Sequence, residues 1–242
     1  MMSNKRIICI HALDEHTFSP EKFLKYVFWI KKMGYIFVSL DTILSEKKGK
    51  FIALTVDDAY KTCVTRLIPI LDMYNIPATL FVSPSMLNKN ANDNILLEHN
   101  MYPDEMTMDW EDLNLWKGKG YEVGFHTNFH IDMYDSSDEV IIQDFHNGFN
   151  LLAQRGFLLV KYFAYPFGYI PKNRKMMEGL FKKYDIQYAF TVNWGSVKRN
   201  SHFNLNRICL GDNDNLIWLI LKTIGVLDGY YKIRRLHGKF VY

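Results

Sequence analysis

Short apolar runs alternate with amphipathic stretches along the whole chain. Residues 6–10 carry the pattern of a buried strand. Residues 20–33 ("PEKFLKYVFWIKKM") repeat apolar positions at helical spacing, with Ser19 placed as N-cap and Gly34 as stop. The same reading predicts strands over 35–40 ("YIFVSL") and 51–56 ("FIALTV"), a helix over 61–74 and a strand over 78–82. Residues 83–105 form a polar, Asn-rich insertion. The pattern resumes with a helix over 109–119 capped by Asp109, a strand over 121–125, a helix over 136–155 and a strand over 160–165. A helix over 171–184, strands over 187–192 and 205–210, and a last helix from about 213 complete it. Strand–helix alternation without an internal linker predicts parallel strands in one α/β domain over 1–242. Seven or eight such strands predict a barrel.

Composition narrows the function classes. With 48% hydrophobic and 15% aromatic residues among 242, the chain can bury a substantial core. The net charge of +3 is mild, and its basic residues are scattered over 31–32, 47–50, 172–175, 182–183 and 232–235, which argues against a nucleic-acid partner. Three cysteines (Cys9, Cys63, Cys209) are few and odd in number, which predicts reduced thiols rather than a disulfide framework. The first apolar run is too short for a secretion signal, and no run approaches the roughly 18 residues of a membrane span, so a cytoplasmic protein is expected. The tail, 213–242, couples an apolar stretch to basic and aromatic residues. It reads either as a helix closing the domain or as a peripheral membrane contact.

In parallel barrels the working residues collect at the C-terminal ends of the strands. Strand 6–10 ends in His11, strand 51–56 in Asp57-Asp58, strand 121–125 in His126, and strand 160–165 in "YPFG". His126 and His130 are spaced i and i+4 and converge if 126–130 form a helical turn. One carboxylate with two imidazoles is a facial set for a divalent cation, which leaves the second carboxylate available as a base. His16, His99, His146, His202 and His237 fall in loops or on helix faces and read as structural or solvated.

These residues resemble the polysaccharide deacetylase (NodB-homology) family, metal-dependent carbohydrate esterases that remove acyl groups from sugars. "ALTVDDAY" is similar to the family's T-F-D-D-G motif, and "GFHTNFH" to its H-S/T-x-x-H motif. "YFAYPFG" is similar to its third motif, with the P-F/Y-G part present. The resemblance implies a distorted (β/α)7–8 barrel. It implies Asp57 as general base, Asp58, His126 and His130 as metal ligands, and the Phe167 N–H as an oxyanion donor.

Three departures carry information. Ala59 stands where the first motif has glycine, and Ala164 stands where the third motif has the arginine that orients the base. The last motif's histidine, a general acid, is absent from "RICLGDN". In circularly permuted members, such as poly-N-acetylglucosamine deacetylases, that strand comes first, and "IICIHAL" resembles it. His11 is therefore expected as the general acid, and Arg207, by position, as the substitute for the missing arginine. Tyr60, Tyr165, Pro166 and Trp194, with Trp110 and Phe129, are candidates to line a sugar. The implied cofactor is a divalent metal, Zn2+ first, with Ni2+, Co2+ or Fe2+ also fitting the donor set. The implied partner is an N-acylated sugar or glycan. The rival readings are a catalytically inactive carbohydrate-binding protein on the same fold and a deformylase or other amide hydrolase acting on a lipid-linked amino sugar.

Overall fold

The computed structural model describes residues 4–14, 18–46, 48–90, 93, 106–197, 202–211 and 214–236, the side chains of 234–236 excepted. Of the predicted insertion, 91–92 and 94–105 lie outside the described residues, as do His16, His99 and His237.

Among the described residues eight strands form one all-parallel sheet: β1 (Asn4–Ile10), β2 (Ile36–Phe37), β3 (Lys50–Asp57), β4 (Ala78–Val82), β5 (Glu122–Phe125), β6 (Tyr162–Ala164), β7 (Tyr188–Phe190) and β8 (Ile208–Cys209). Their order is β7-β6-β5-β4-β3-β1-β8, with β2 attached to the first half of β3. The circuit continues past β8, because Leu205 bridges Phe190 of β7 in parallel while Cys209 pairs with Cys9 of β1. This is the barrel that the alternating pattern predicts, in the distorted form that the family resemblance implies. Its strands read as nearly continuous apolar runs because both faces are buried.

The helices are α1 (Pro20–Lys32), α2 (Leu40–Ser45), α3 (Ile68–Tyr74), α4 (Trp110–Gly118), α5 (Asp138–Gln154), α6 (Arg174–Lys183), α7 (Leu216–Ile224) and α8 (Asp228–Leu236). Both N-caps expected from the sequence are formed. Ser19 accepts from Lys22 N, and Asp109 accepts from Glu111 and Asp112 N. Four expectations change. The strand expected over 35–40 stops at Phe37, because Ser39 caps α2 through Thr42 N and turns Leu40 and Ile43 under the barrel. The helix expected over 61–74 opens with a π-turn over Cys63–Leu67, since Pro69 has no N–H for the tighter ladder. The last expected strand, 205–210, is regular only at Ile208–Cys209. The final helix divides into α7 and α8 at Gly225, whose φ of 88° ends α7 beside Arg6.

Two apolar layers result. The larger lies between the sheet and the helices, while a smaller one fills the barrel floor with Ile7, Ala53, Phe81, Tyr162, Phe190 and Leu205. Strand alternation then carries polar groups upward on the same inner face: Cys9 and His11 above Ile7, and Thr55 and Asp57 above Ala53.

Candidate active site

The site is built at the C-terminal rim. Asp58, His126 and His130 are all buried, and one donor atom from each lies within 4.8 Å of the others. Asp58 Oδ1 is 3.5 Å from His126 Nε2 and 3.4 Å from His130 Nε2. His126 Nδ1 donates to the Ala164 carbonyl at 2.8 Å, a partner that can only accept, so the tautomer is fixed and Nε2 is left to face Asp58. Burial, more than any neighbour, pulls His126 down to about 4, so the ring is neutral at pH 7 as a metal ligand must be. Asp58 Oδ1 is buried without a hydrogen-bond donor. A carboxylate oxygen stranded between two imidazole nitrogens is costly unless a cation completes it, so the donor set fits a divalent metal.

The two histidines converge, but not through the helical turn expected from their spacing. Residues 126–130 form an irregular bend in which Thr127 (φ 59°) and His130 (φ 52°) are left-handed. Three outside groups hold it. Asp144 of α5 accepts from Asn128 N at 2.7 Å and Phe129 N at 3.0 Å. Ser83 Oγ donates to the His126 carbonyl, and Ser85 N to the Asn128 carbonyl. Burial raises Asp144 to about 6 while the two amides pull it down, so it remains ionised at neutral pH. Asp144 was not read as a site residue, since on an amphipathic helix it looks like any polar position.

Asp57, one residue earlier, points to a different set of partners. Arg207, fully buried, donates through Nη1 to Asp57 Oδ1 at 2.7 Å and through Nη2 to Oδ2 at 2.8 Å. The same guanidinium is fixed by Thr55 Oγ1 and the Thr191 carbonyl. Burial would raise the Asp57 carboxyl, but the guanidinium, followed by His126 and His11, holds it well below the usual carboxylate range. The position expected to lack an arginine, Ala164, serves the site through its main chain instead.

His11 sits half-buried at the end of β1, with a ring nitrogen within 4.8 Å of an Asp57 carboxylate oxygen. Burial disfavours its charged form, but Asp58, then Cys209 and Asp57, outweigh burial and raise its pKa above the ordinary histidine value. Phe167 closes the other side in a left-handed turn (φ 56°), its ring edge-on to His130 with centroids 4.7 Å apart.

The structure does not bring the remaining aromatic candidates to an open face. Tyr60 is fully buried and bridges Thr107, and Tyr165 donates to the Phe203 carbonyl from inside the core. Pro166 is buried as well, and Trp194 stacks on Tyr231. Trp110 lies under Arg155. Only Phe129, next to His130, keeps an exposed ring among these candidates.

Known proteins are similar in sequence and in fold. A poly-beta-1,6-N-acetyl-D-glucosamine N-deacetylase of Staphylococcus aureus is 24% identical over 210 residues, covering 83% of this chain and 70% of the relative. One of Staphylococcus epidermidis is 26% identical over 223 residues, covering 88% and 74%. The structure of IcaB from Ammonifex degensii superposes with a TM-score of 0.77 at 16% identity, covering 91% of this chain and 97% of that one. The Streptococcus pyogenes deacetylase PplD in complex with acetate gives 0.71 at 21% identity, covering 93% and 99%. At these identities the two structures establish the fold. The family pattern described as polysaccharide deacetylase matches residues 45–189, more than half of the chain, and spans Asp57, Asp58, His126, His130 and Phe167. His11 and Arg207 fall outside that span and rest on the site's geometry. The chain belongs to the polysaccharide deacetylase family.

Proposed function

We propose that the protein removes the N-acetyl group from an amino sugar within a glycan or glycolipid precursor. The observation that carries this reading is the pairing of Asp57 with Arg207 directly beside the Asp58–His126–His130 set, with His11 close by. A binding protein gains nothing from a buried carboxylate that an arginine keeps ionised next to three metal ligands.

Asp58, His126 and His130 would hold the cation, which supplies Lewis acidity and makes water acidic enough to be deprotonated near pH 7. Zinc suits the Asp-His-His set best, and nickel, cobalt and ferrous iron also fit. Asp57 takes the proton from the attacking water. The Phe167 N–H faces the oxygen that becomes negative, a donor worth about 3–4 kcal/mol in comparable sites. His11, whose acidic neighbours favour its charged form, gives its proton to the amide nitrogen as the C–N bond breaks, releasing acetate and a free amine. Arg207 acts through Asp57 as a positioning residue.

The two staphylococcal relatives are named as poly-beta-1,6-N-acetyl-D-glucosamine N-deacetylases. The corresponding substrate for this chain is a β-linked N-acetylglucosamine oligomer, with Phe129 as a stacking surface. The test is acetate release from such oligomers by metal-loaded protein and by Asp57→Asn. Bound metal without release from any N-acetylated or N-formylated sugar would leave the inactive binding protein as the reading. Release of formate but not acetate would favour the deformylase.

A peripheral membrane contact through the C-terminal helices is supported by exposed Ile217 on α7, Val226 between the two helices and Ile233 on α8. No described helix is long and apolar enough to cross a membrane. Sedimentation with anionic vesicles tests the contact, and its failure removes it.

A further inference from the structure

The proposed chemistry uses His11 and Asp57 but leaves two thiols beside them without a task. Cys9 of β1 pairs in register with Cys209 of β8, and both side chains are buried. The two thiols are within hydrogen-bonding reach of each other. The Cys9 Sγ, a His11 ring nitrogen and an Asp57 carboxylate oxygen all lie within 4.8 Å of one another. Cys63, the third cysteine, donates its thiol to the His11 carbonyl at 3.2 Å and so meets the backbone rather than the ring.

We propose that Cys9, Cys209 and His11 form a second cation site, selective for thiophilic cations such as cadmium, cuprous copper or excess zinc. Two sulfurs and an imidazole are a softer donor set than Asp58, His126 and His130, so the two sites separate cations by chemical type. On binding, each thiol releases its proton to solvent and becomes a thiolate, and the His11 imidazolium releases its own, leaving a neutral ring to ligate. Two thiolates balance a divalent charge and leave the Arg207–Asp57 pair electrically as it was. Asp57 keeps both oxygens on Arg207 and stands beside the cation without needing to ligate it. The half-buried His11 provides the entry from the rim.

An imidazole that holds a cation cannot deliver a proton to a leaving amine. A filled thiol site therefore silences turnover while the first metal stays in place. That consequence rests on the deacetylase reading, whereas the binding itself does not.

The experiment is a cadmium titration of the zinc-loaded full chain, read by thiolate-to-cadmium charge-transfer absorption. Cadmium that enters the Asp58 site by exchange gives no sulfur band. The band is expected to saturate at a single equivalent, to vanish in Cys9→Ser and Cys209→Ser, and to persist in Cys63→Ser. Loss of a direct ligand should weaken binding by more than the roughly 10–100-fold typical of losing a ligand's hydrogen-bond partner. Cys9→Ala and Cys209→Ala repeat the comparison where serine is not tolerated in the strand. Absence of a sulfur band in the native chain, or a band that depends on Cys63 alone, overturns the site. Acetate release measured alongside should be inhibited in the native chain and spared in Cys9→Ser. If the native chain releases no acetate at any cadmium level, the deacetylase reading fails while the band still decides the cation site.

Discussion

Asp57 and Asp58 are sequence neighbours with opposite electrostatics, and the difference comes from which groups each one meets. Asp58 is raised by burial against the pull of His11 and His126, whereas Asp57 is held low by Arg207 despite equal burial. The acid limb of kcat/KM should therefore not report an ordinary carboxylate at Asp57. Arg207→Lys keeps a positive charge but loses the two-pronged contact, so the Asp57 pKa rises and the acid limb moves to higher pH. An unchanged pH–rate profile would remove Arg207 from its positioning role. Arg207→Ala goes further, leaving a buried carboxylate unpaired at a cost of about 3–5 kcal/mol, seen as a lower Tm. His11→Ala should fold and bind metal but lose about 10²–10⁴-fold in turnover, together with the basic limb. A variant that unfolds instead would mark His11 as a packing residue. Ala59, where related motifs have glycine, adopts φ 55°. Ala59→Gly should relieve that conformation and stabilise the protein by about 1 kcal/mol without changing turnover, measurable by denaturant unfolding. Asp57, Asp58 and the histidines were legible because their residue types and spacing are chemical signatures. Arg207 was legible only as the answer to a gap at Ala164.

At the scale of elements, local pattern failed where a segment's shape is imposed from outside. The spacing of His126 and His130 suits a helix, yet the bend between them is set by Asp144, which lies on α5 and accepts two backbone amides of the bend. Nothing within 126–130 announces this. Asp144→Ala strands both amides, each costing about 1–3 kcal/mol when buried. Metal affinity should fall by roughly 10–100-fold, with Asp144→Asn losing less because one acceptor oxygen remains. Calorimetric metal titration of the three proteins gives the order directly, and equal affinities would show that the bend holds itself. The missed α2 has the same kind of cause. "YIFVSL" is apolar enough for a strand, but Ser39 supplies an N-cap and the barrel floor needs Leu40 and Ile43. Where an element's ends carry their own caps, as in α1 and α4, prediction and structure agree to within a residue or two.

For the molecule as a whole, the alternating pattern identified parallel strands and their approximate number. It did not give their order, because a sheet's neighbours are chosen by packing between segments far apart in sequence. The order places β1 between β3 and β8, and only through that neighbourhood do His11, Cys9, Asp57 and Arg207 meet. The metal ligands, by contrast, follow the ends of β3 and β5, which flank β4 in the sheet. This difference has a consequence in time. Contacts between nearby segments form early and cheaply, while pairing β8 with β1 must close a loop of nearly the whole chain. During refolding from denaturant the metal set should assemble first, with the base's arginine arriving last. Metal uptake should then precede recovery of acetate release, and the lag between them would time the closing of the barrel; simultaneous recovery would mean the strands close in one step. Turnover, on this view, certifies that a chain has finished folding, whereas a bound metal certifies only that its middle has.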